Sequence, residues 1–184
     1  MEQIKLHLCS GIRDFGLEWI HIDKADFPHV KYKDVTNLSQ FDDNSVDLIY
    51  CCHGISYFDR LEIIPIFKEW LRVLKKGGIL RIATPDFRAM TKLYIEKLYP
   101  LNTFTGPLYG RWAINNEVHY HKTTWDYTEL KQYLVDTGFD FKNINPYDWR
   151  TTEHSHIDDH SQAFIPHMAK ETGTLISLNI EAIK

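Results

Sequence analysis

The first constraint on the fold comes from residues 4–23, which have the sequence IKLHLCSGIRDFGLEWIHID. The pattern predicts a buried strand, a tight turn at Cys9, Ser10 and Gly11, a short crossover and a second strand that ends in Asp23. Parallel α/β sheets begin in this way and bind ligands at the carboxyl ends of their strands. Small turn residues let backbone N–H groups approach a ligand, and an acid at the neighbouring strand tip can accept both hydrogens of a ribose diol. Only Gly11 remains of the dinucleotide fingerprint G-x-G-x-x-G, so we expect a nucleoside without a pyrophosphate.

Composition favours one globular domain and argues against nucleic acid or a membrane as partner. The chain has 184 residues, of which 43% are hydrophobic and 25% charged, as in an ordinary domain that buries a core. Its net charge is −4 and it has no basic run, so nucleic acid is not an expected partner. We find no apolar stretch of transmembrane length and no signal-peptide pattern at the N-terminus. The three cysteines are odd in number and two are adjacent, which predicts reduced thiols in a cytoplasmic protein.

Hydrophobic periodicity predicts strands that alternate with helices along most of the chain. The predicted strands lie at residues 4–8, 19–23, 30–35, 47–52, 79–84, 139–145 and 175–183. Helices are predicted at 59–76 (or from Pro65 onward), 86–99 and 125–137, the last two with Asp86 and Asp126 as N-caps and the first ended by the glycines at 77 and 78. Residues 101–124 and 146–173 follow no regular period, and long connections of this kind are usually functional. The last two strands lack a helix between them, which predicts an antiparallel edge.

One face of the first three strands is predicted to be thinly covered. The connections at 9–18 and 24–29 are too short for full crossover helices, because a parallel crossover needs about a dozen residues. Parallel sheets are usually covered on both faces. The polar residues on this face are Lys5, His7, Lys31 and Lys33. The face can be covered by the chain's own long segments, by a second subunit or by water over the lysine stems. We expect a homodimer, with the solvated face as the alternative.

Three runs of sequence resemble the class I S-adenosylmethionine-dependent methyltransferases, and the small type 11-like members in particular. They are IKLHLCSG followed by WIHID, FDDNSVDLIYCCHGISYF, and EWLRVLKKGGILRIATPDF, in which RVLKKGG matches the R-V-L-K-P-G-G of the family. The C-terminal sequences DWRTTEHSHIDDHSQAFIPH and GTLISLNIEAIK resemble a subgroup from bacterial surface-polysaccharide gene clusters. The resemblance covers nearly the whole chain. It implies an α/β, Rossmann-like fold with a seven-stranded, mostly parallel sheet of order 3-2-1-4-5-7-6, as one domain over residues 1–184.

The resemblance also implies the cofactor and the residues that hold it. The cofactor would be S-adenosylmethionine (SAM), with S-adenosylhomocysteine as product, and the acceptor a small molecule or sugar. The most direct role would be O-methylation in capsule or lipopolysaccharide biosynthesis. The matching positions are Cys9, Ser10 and Gly11 near the methionine part, Asp23 at the ribose, Asp34 and Val35 at the adenine, and Cys52 and His53 beside the transferable methyl group.

Three departures from the family leave a second class of function open. The loop is C-S-G where the family prefers G-C-G, residues 55–57 are I-S-Y in place of L-E-H, and no cap helix precedes the first strand. Plainer roles also exist for Asp23 as a strand-end cap, for Asp34 as a turn acid and for Cys9 as a small buried residue. The alternative function is therefore a non-catalytic member of the fold that binds a ligand or a partner.

Histidines are the candidate bases for methyl transfer to oxygen, because the attacking hydroxyl must lose its proton. A histidine pKa near ~6.5 suits that step. The candidates are His53, His119 and His121, since the family's acceptor approaches from the segments after the fourth and fifth strands; simple hydrogen bonding is the plainer role for each. Residues 101–124 and 148–167 are predicted to form the acceptor pocket. The ten histidines invite a metal, but neither H-E-x-x-H nor C-x-x-C is present, so no metal site is predicted.

Overall fold

The computed structural model describes residues 3–114 and 116–184 as an α/β fold built on one seven-stranded sheet. The strands of this sheet are β1 Lys5–Leu8, β2 Trp19–Ile22, β3 Val30–Tyr32, β4 Val46–Cys52, β5 Leu74–Pro85, β8 Ile144–Pro146 and β11 Ser177–Ile183. The other strands form two hairpins outside the sheet, β6 Trp112–Ile114 with β7 Glu117–His119, and β9 Phe164–Ile165 with β10 Thr174–Leu175.

The strand order confirms the predicted topology of the sheet. The order is β3-β2-β1-β4-β5-β11-β8, with β1 to β5 parallel and β11 antiparallel to both β5 and β8. The numbering differs from 3-2-1-4-5-7-6 only because the four hairpin strands are counted outside the sheet. The carboxyl ends of β1, β2 and β4 therefore meet at one edge, as the position of the 9–11 turn requires.

Within residues 3–114 and 116–184, four α-helices accompany the sheet: α1 Ile63–Val73, α2 Phe87–Glu96, α3 Thr105–Tyr109 and α4 Tyr127–Thr137. Both predicted aspartate caps are confirmed, because Asp86 accepts the N–H of Ala89 at 3.1 Å and Asp126 accepts that of Glu129 at 2.9 Å. In the parts of the chain that the structure describes, no helix has the length and apolar character needed to cross a membrane.

The predicted end of the first helix is wrong. Helix α1 stops at Val73, and β5 begins directly at Leu74 rather than at residue 79. Backbone pairing decides this, since Gly77 N–H donates to the carbonyl of Lys184 at 2.8 Å and Lys184 N–H donates to Gly78 at 3.0 Å. Pro65 occupies the third position of α1, where a first-turn residue needs no amide hydrogen, so the helix starts between the two predicted points.

Two predicted strands are shorter than expected because side-chain hydrogen bonds turn the chain. Strand β3 ends at Tyr32 rather than residue 35, and Asp34 then accepts the N–H of Thr36 in a turn. The predicted strand at 139–145 is largely a 3₁₀ turn, Phe141–Asn143, followed by β8. Short polar side chains that bond to the backbone two residues on favour such turns over strands.

One face of the sheet packs against α1 and α4 to form the main core. Strand residues such as Leu6, Ile49 and Ile82 are fully buried there against Trp70 of α1 and Leu134 of α4. The Trp70 indole also donates to the carbonyl of Val35 at 2.7 Å. This bond ties the turn after β3 to the core, so Val35 is held in place by the fully buried Trp70.

The opposite face of β1, β2 and β4 is covered by the chain itself, which corrects the prediction of an exposed face at His7. The His7 side chain is only 1% exposed and its ring lies 4.0 Å from that of Phe15. His154, from the long segment after β8, stacks 4.2 Å from Tyr50 on the same face. Phe15 and His154, whose rings stack 5.1 Å apart, supply this cover, so His7 needs no second subunit to be buried. The oligomeric state stays a prediction.

Buried neutral histidines under this cover predict acid sensitivity. Burial lowers the pKa of His154 from its usual range to about 4, and burial also holds the pKa of His7 well below its ordinary value. The unfolded chain binds these protons below pH 6.5 and the folded chain does not, so stability is full above pH 6.5 and falls as the pH drops. For His154 alone the expected loss is about 2 kcal/mol at pH 5.

Urea unfolding of the wild type and His154→Phe at pH 7.5 and pH 5 tests this. The phenylalanine keeps the aromatic stack and removes one titrating group, so its free energy of unfolding should depend less on pH. Equal pH dependence in the two proteins would contradict the assignment.

Candidate active site

A cavity of about 1060 Å³ opens at the carboxyl ends of β1, β2 and β4. It brings together every residue that the sequence predicts for the cofactor and for catalysis. These are Cys9, Ser10, Gly11, Asp23, Asp34, Val35, Cys52, His53, His119 and His121. Both predicted acceptor segments reach it as well, 101–124 through its hairpin and 148–167 through Asp159 and His160.

The loop at 9–11 is held open toward the cavity by left-handed backbone. Cys9 has φ 54° and Gly11 has φ 54°, and the N–H of Cys9 donates to the carbonyl of Ile22 at 2.8 Å. Where the chain after β4 passes this loop, the residue is Gly54. A Cβ there would lie 2.4 Å from Cβ of Cys9, which no real pair of atoms tolerates. The backbone at Gly54 therefore packs directly against the side chain of Cys9, so the loop after β1 and the loop after β4 restrict each other's position.

Cys9 fills this contact as a neutral thiol. A hydrogen bond with Cys51, then burial, hold the pKa of the Cys9 thiol well above its usual range. A protonated thiol is a poor nucleophile, so the geometry agrees with a packing role for Cys9 rather than a chemical one.

Asp23 joins the loop to the second strand. Its side chain is 7% exposed, its Oδ2 accepts the N–H of Gly11 at 2.9 Å and its Oδ1 accepts the N–H of Ala25 at 2.7 Å. The capping role that we considered from the sequence is thus present. It does not exclude ribose binding, because each carboxylate oxygen can accept a second hydrogen bond.

Asp34 follows the end of β3, in a turn that its own ionised carboxylate stabilises. Its Oδ1 accepts both the N–H of Thr36 at 2.7 Å and the Thr36 hydroxyl at 2.6 Å. The hydroxyl contact lowers the pKa of Asp34 from its ordinary value, and this keeps the carboxylate charged. Val35 follows it with only 8% exposure, so an acid and an apolar side chain meet at the wall assigned to the adenine.

Two of the three candidate bases, His53 and His121, influence each other through charge and share His160 as a neighbour. The His53 ring lies 5.0 Å from that of His160, and His121 packs edge-on against Tyr57 at 4.6 Å. Burial lowers the pKa of both His53 and His121, and each is lowered further by the charge of His160. Both rings are therefore neutral near pH 7 and can accept a proton.

His119 belongs to a different wall. It lies on β7 opposite Trp112, and its Nε2 is 3.6 Å from the Glu117 carboxylate. The Trp112 ring in turn packs over the first loop, 3.6 Å from where a Cβ of Gly11 would be. The hairpin thus covers the loop side of the cavity and carries His119 there, rather than to His53.

Several cavity residues were not predicted from the sequence. Trp112 and Tyr57 line the cavity, and Arg13 lines it while its Nε donates to the carbonyl of Asp158 at 2.9 Å. The only signals for them were their positions in the sequence: Trp112 and His160 lie in the two predicted acceptor segments, Arg13 lies in the first crossover, and Tyr57 lies in the I-S-Y sequence after β4. In residues 3–114 and 116–184 no group of three or more His, Cys, Asp or Glu side chains is arranged to hold a metal ion.

Comparison with known families adds a finding that the geometry alone does not give. Residues 15–82 match the family described as "Methyltransferase domain". The matched range spans 68 of the 184 residues, less than half of the chain. It includes Asp23, Asp34 and His53. No curated protein sequence gives a significant match to the chain.

Solved structures share the fold over almost the whole chain. A SAM-dependent methyltransferase from Archaeoglobus fulgidus aligns with 99% of this chain and 86% of its own, at 15% identity and a TM-score of 0.59. One from Methanosarcina mazei aligns with 100% of this chain and 93% of its own, at 18% identity and a TM-score of 0.58. The DhpI–SAH complex aligns with 98% of this chain and 76% of its own, at 9% identity and a TM-score of 0.53. At these identities the likeness concerns the fold.

Proposed function

We propose that the chain binds SAM across the carboxyl ends of β1, β2 and β4 and catalyses methyl transfer to a hydroxyl of a small molecule or sugar. The observation that carries this proposal is the convergence of the loop at 9–11, Asp23, Asp34 and His53 on one cavity. Its volume of about 1060 Å³ is large for a single ligand, since pockets for drug-sized molecules measure about 300–1,000 Å³. A cofactor and an acceptor can therefore share it.

The side chains at the loop fit the chemistry of SAM. Asp23 keeps a second lone pair on each oxygen for the two ribose hydroxyls. Ser10 Oγ is buried, lines the cavity and has no hydrogen-bond partner in the described parts of the chain. A buried hydroxyl without a partner is costly, and the polar methionine part of the cofactor would satisfy it.

Hydrogen bonds behind His53 favour the tautomer of its neutral ring that carries the proton on Nε2. Asn179 Nδ2 donates to the carbonyl of Ser161 at 2.9 Å, which turns Asn179 Oδ1 toward Ser177. The Ser177 hydroxyl donates to that oxygen at 2.9 Å, so its own oxygen accepts from His53 Nε2–H at 3.4 Å. In a neutral ring the other nitrogen, Nδ1, then carries the lone pair.

This arrangement supports His53 as the base, with His121 as second choice. When bound, SAM supplies a methyl group activated by its positively charged sulfur. The chain's residues hold the acceptor hydroxyl in line with that methyl group, and such positioning can supply most of the rate. His53 accepts the hydroxyl proton at Nδ1 as the new carbon–oxygen bond forms.

The acceptor class rests on the cavity walls and on the C-terminal sequence. Tyr57 and Trp112 line the cavity, and aromatic faces of this kind can stack on sugar rings. Together with the resemblance of the C-terminal segment, they support a sugar of a bacterial surface polysaccharide as acceptor. A mass-spectrometric screen of nucleotide-activated sugars and capsule fragments for the gain of one methyl group tests this. SAM binding without turnover of any of them would favour the non-catalytic alternative, which the C-S-G loop leaves open.

Removal of the Asp23 charge is expected to weaken SAM binding tenfold or more. A hydrogen bond to a charged group contributes about 1.5–3 kcal/mol, and Asp23→Asn gives up the charge while keeping one accepting oxygen. Calorimetric titration with SAM measures the effect. Asp42→Asn, an exposed acid outside the cavity, is the control and should bind as the wild type does. Equal affinity in Asp23→Asn would place the ribose elsewhere.

A further inference from the structure

We propose that the acceptor carries an anionic group, a phosphate or a carboxylate, which binds Arg111 and Lys122 on the wall of the cavity. The proposal rests on the proposed methyl transfer and names the chemical class of its substrate. It comes from the distribution of charge around the cavity, which is opposite to that of the chain as a whole.

The cavity collects positive charge in an acidic protein. The whole chain has a net charge of −4. The cavity wall nevertheless includes five basic side chains, Arg13, Lys24, Lys33, Arg111 and Lys122, against three acidic ones, Asp23, Asp34 and Asp159. An excess of basic side chains on a concave wall attracts ligands of negative charge.

The three acids already have partners that hold them. Asp23 and Asp34 accept the hydrogen bonds described above. Asp159 Oδ2 accepts the hydroxyl of Tyr50 at 2.6 Å, and its Oδ1 accepts the N–H of Ser161 at 2.8 Å. These carboxylates are therefore oriented by the fold rather than by the basic residues across the cavity.

Two of the five basic side chains are paired with acids, and three are not. Lys33 lies 2.7 Å from the Asp26 carboxylate and Lys24 lies 3.8 Å from that of Glu117. Among the residues that the structure describes, no ion pair includes Arg13, Arg111 or Lys122. Arg13 lines the cavity together with the loop at 9–11, where the methionine part of the cofactor is proposed to lie, so we assign its guanidinium to the carboxylate of that part.

Arg111 and Lys122 remain for the acceptor, and their backbone is fixed beside the candidate bases. Lys122 N–H donates to the carbonyl of Ser56 at 2.7 Å, just after β4. Gly110, the residue before Arg111, packs against Tyr57, because a Cβ at Gly110 would lie 2.8 Å from the Tyr57 hydroxyl oxygen. His121, which packs on Tyr57, lies between them in sequence. The backbone of Arg111 and that of Lys122 therefore lie in or against the segments next to His53 and His121.

Charge balance then decides between a neutral and an anionic acceptor. SAM carries a net positive charge because its sulfonium adds to a zwitterionic amino acid. A neutral acceptor would leave that charge beside two unpaired cations, and like charges at close range disfavour binding. An anion offsets them, and the guanidinium fork of Arg111 suits the paired oxygens of a phosphate or carboxylate.

Calorimetry on the wild type saturated with S-adenosylhomocysteine tests the proposal with three sugars: glucose, glucuronate and UDP-glucose. At least one of the two anionic sugars should bind at least tenfold more tightly than glucose, and its affinity should fall as salt rises. Preference for UDP-glucose assigns a phosphate, and preference for glucuronate assigns a carboxylate. Failure of both anionic sugars to bind better than glucose overturns the inference.

Matched variants locate the anion. Arg111→Gln/Lys122→Gln should lose at least tenfold in affinity for the preferred anionic sugar and keep wild-type SAM affinity. Arg88→Gln/Lys76→Gln removes the same two charges from exposed positions outside the cavity and should change neither. An equal loss in both double variants overturns the assignment. Absence of SAM binding in the wild type would instead refute the proposed function itself, so the two failures are distinguishable.

Discussion

The variant His53→Asn is expected to lower kcat about 10²–10⁴-fold, the range for loss of a general base. SAM affinity should fall far less, because the loop at 9–11, Asp23 and Asp34 are unchanged. Asparagine is the informative replacement, since His53 has φ 53° and asparagine tolerates left-handed backbone. Its amide cannot take a proton at neutral pH. Thermal unfolding of the variant shows that the fold is intact.

The pH profile separates a base from a residue that only orients the acceptor. Burial holds the pKa of His53 well below its ordinary value, so wild-type kcat should be constant near pH 7 and decline only below pH 6.5, as the ring gains a proton. His53→Asn should lose that decline. His156→Asn, at an exposed histidine outside the cavity, is the control and should keep both rate and profile. Wild-type turnover by His53→Asn would transfer the role to His121.

The sheet and its cofactor edge could be predicted because their signals are local. Alternating apolar residues placed β1, a continuous apolar run placed β4, and the predicted helix caps at Asp86 and Asp126 were confirmed. The resemblance then supplied the strand order. Gly11 and Asp23 follow from the same logic, since a turn and an acid at adjacent strand ends must lie at one edge of a parallel sheet.

The covers of the sheet and of the cavity could not be predicted, because they depend on contacts between distant residues. His7 alternates with buried leucines and so resembles a solvated position, yet the stacked rings of Phe15 and Tyr50 enclose it. The end of α1 was missed for a similar reason, since pairing with Lys184 at the far end of the chain draws Gly77 into β5.

The part of the cavity wall assigned to the acceptor, which includes the β6–β7 hairpin, was predicted from the sequence only as the aperiodic segment 101–124. Its hairpin has three-residue strands, too short to give a periodic signal. The separation of His119 from His121 follows from that hairpin, because one residue lies on β7 and the other follows it. A sequence that places two histidines two positions apart cannot show that they face different neighbours once the strand ends between them.

The variant Gly54→Ala is expected to abolish tight SAM binding. Its Cβ would lie 2.4 Å from Cβ of Cys9, 2.5 Å from Sγ of Cys9 and 2.9 Å from Sγ of Cys51. The Cβ of Cys9 is fixed to the backbone, so the clash can be relieved only if the loop at 9–11 moves. Overpacking of this kind costs about 1–3 kcal/mol of stability, and a moved loop no longer aligns Gly11 with Asp23.

A second change separates this contact from a general defect. Cys9→Gly removes two of the three clashing atoms, and glycine adopts φ 54° without strain. The double variant Cys9→Gly/Gly54→Ala should therefore recover part of the SAM affinity and melting temperature that Gly54→Ala loses. Gly106→Ala is the matched control, because its Cβ would meet nothing within 4 Å although Gly106 lines the same cavity. If Gly54→Ala binds SAM as tightly as Gly106→Ala does, the contact between the two loops does not position the cofactor, and the loop at 9–11 is held in place by its other contacts, including the hydrogen bond from Gly11 to Asp23.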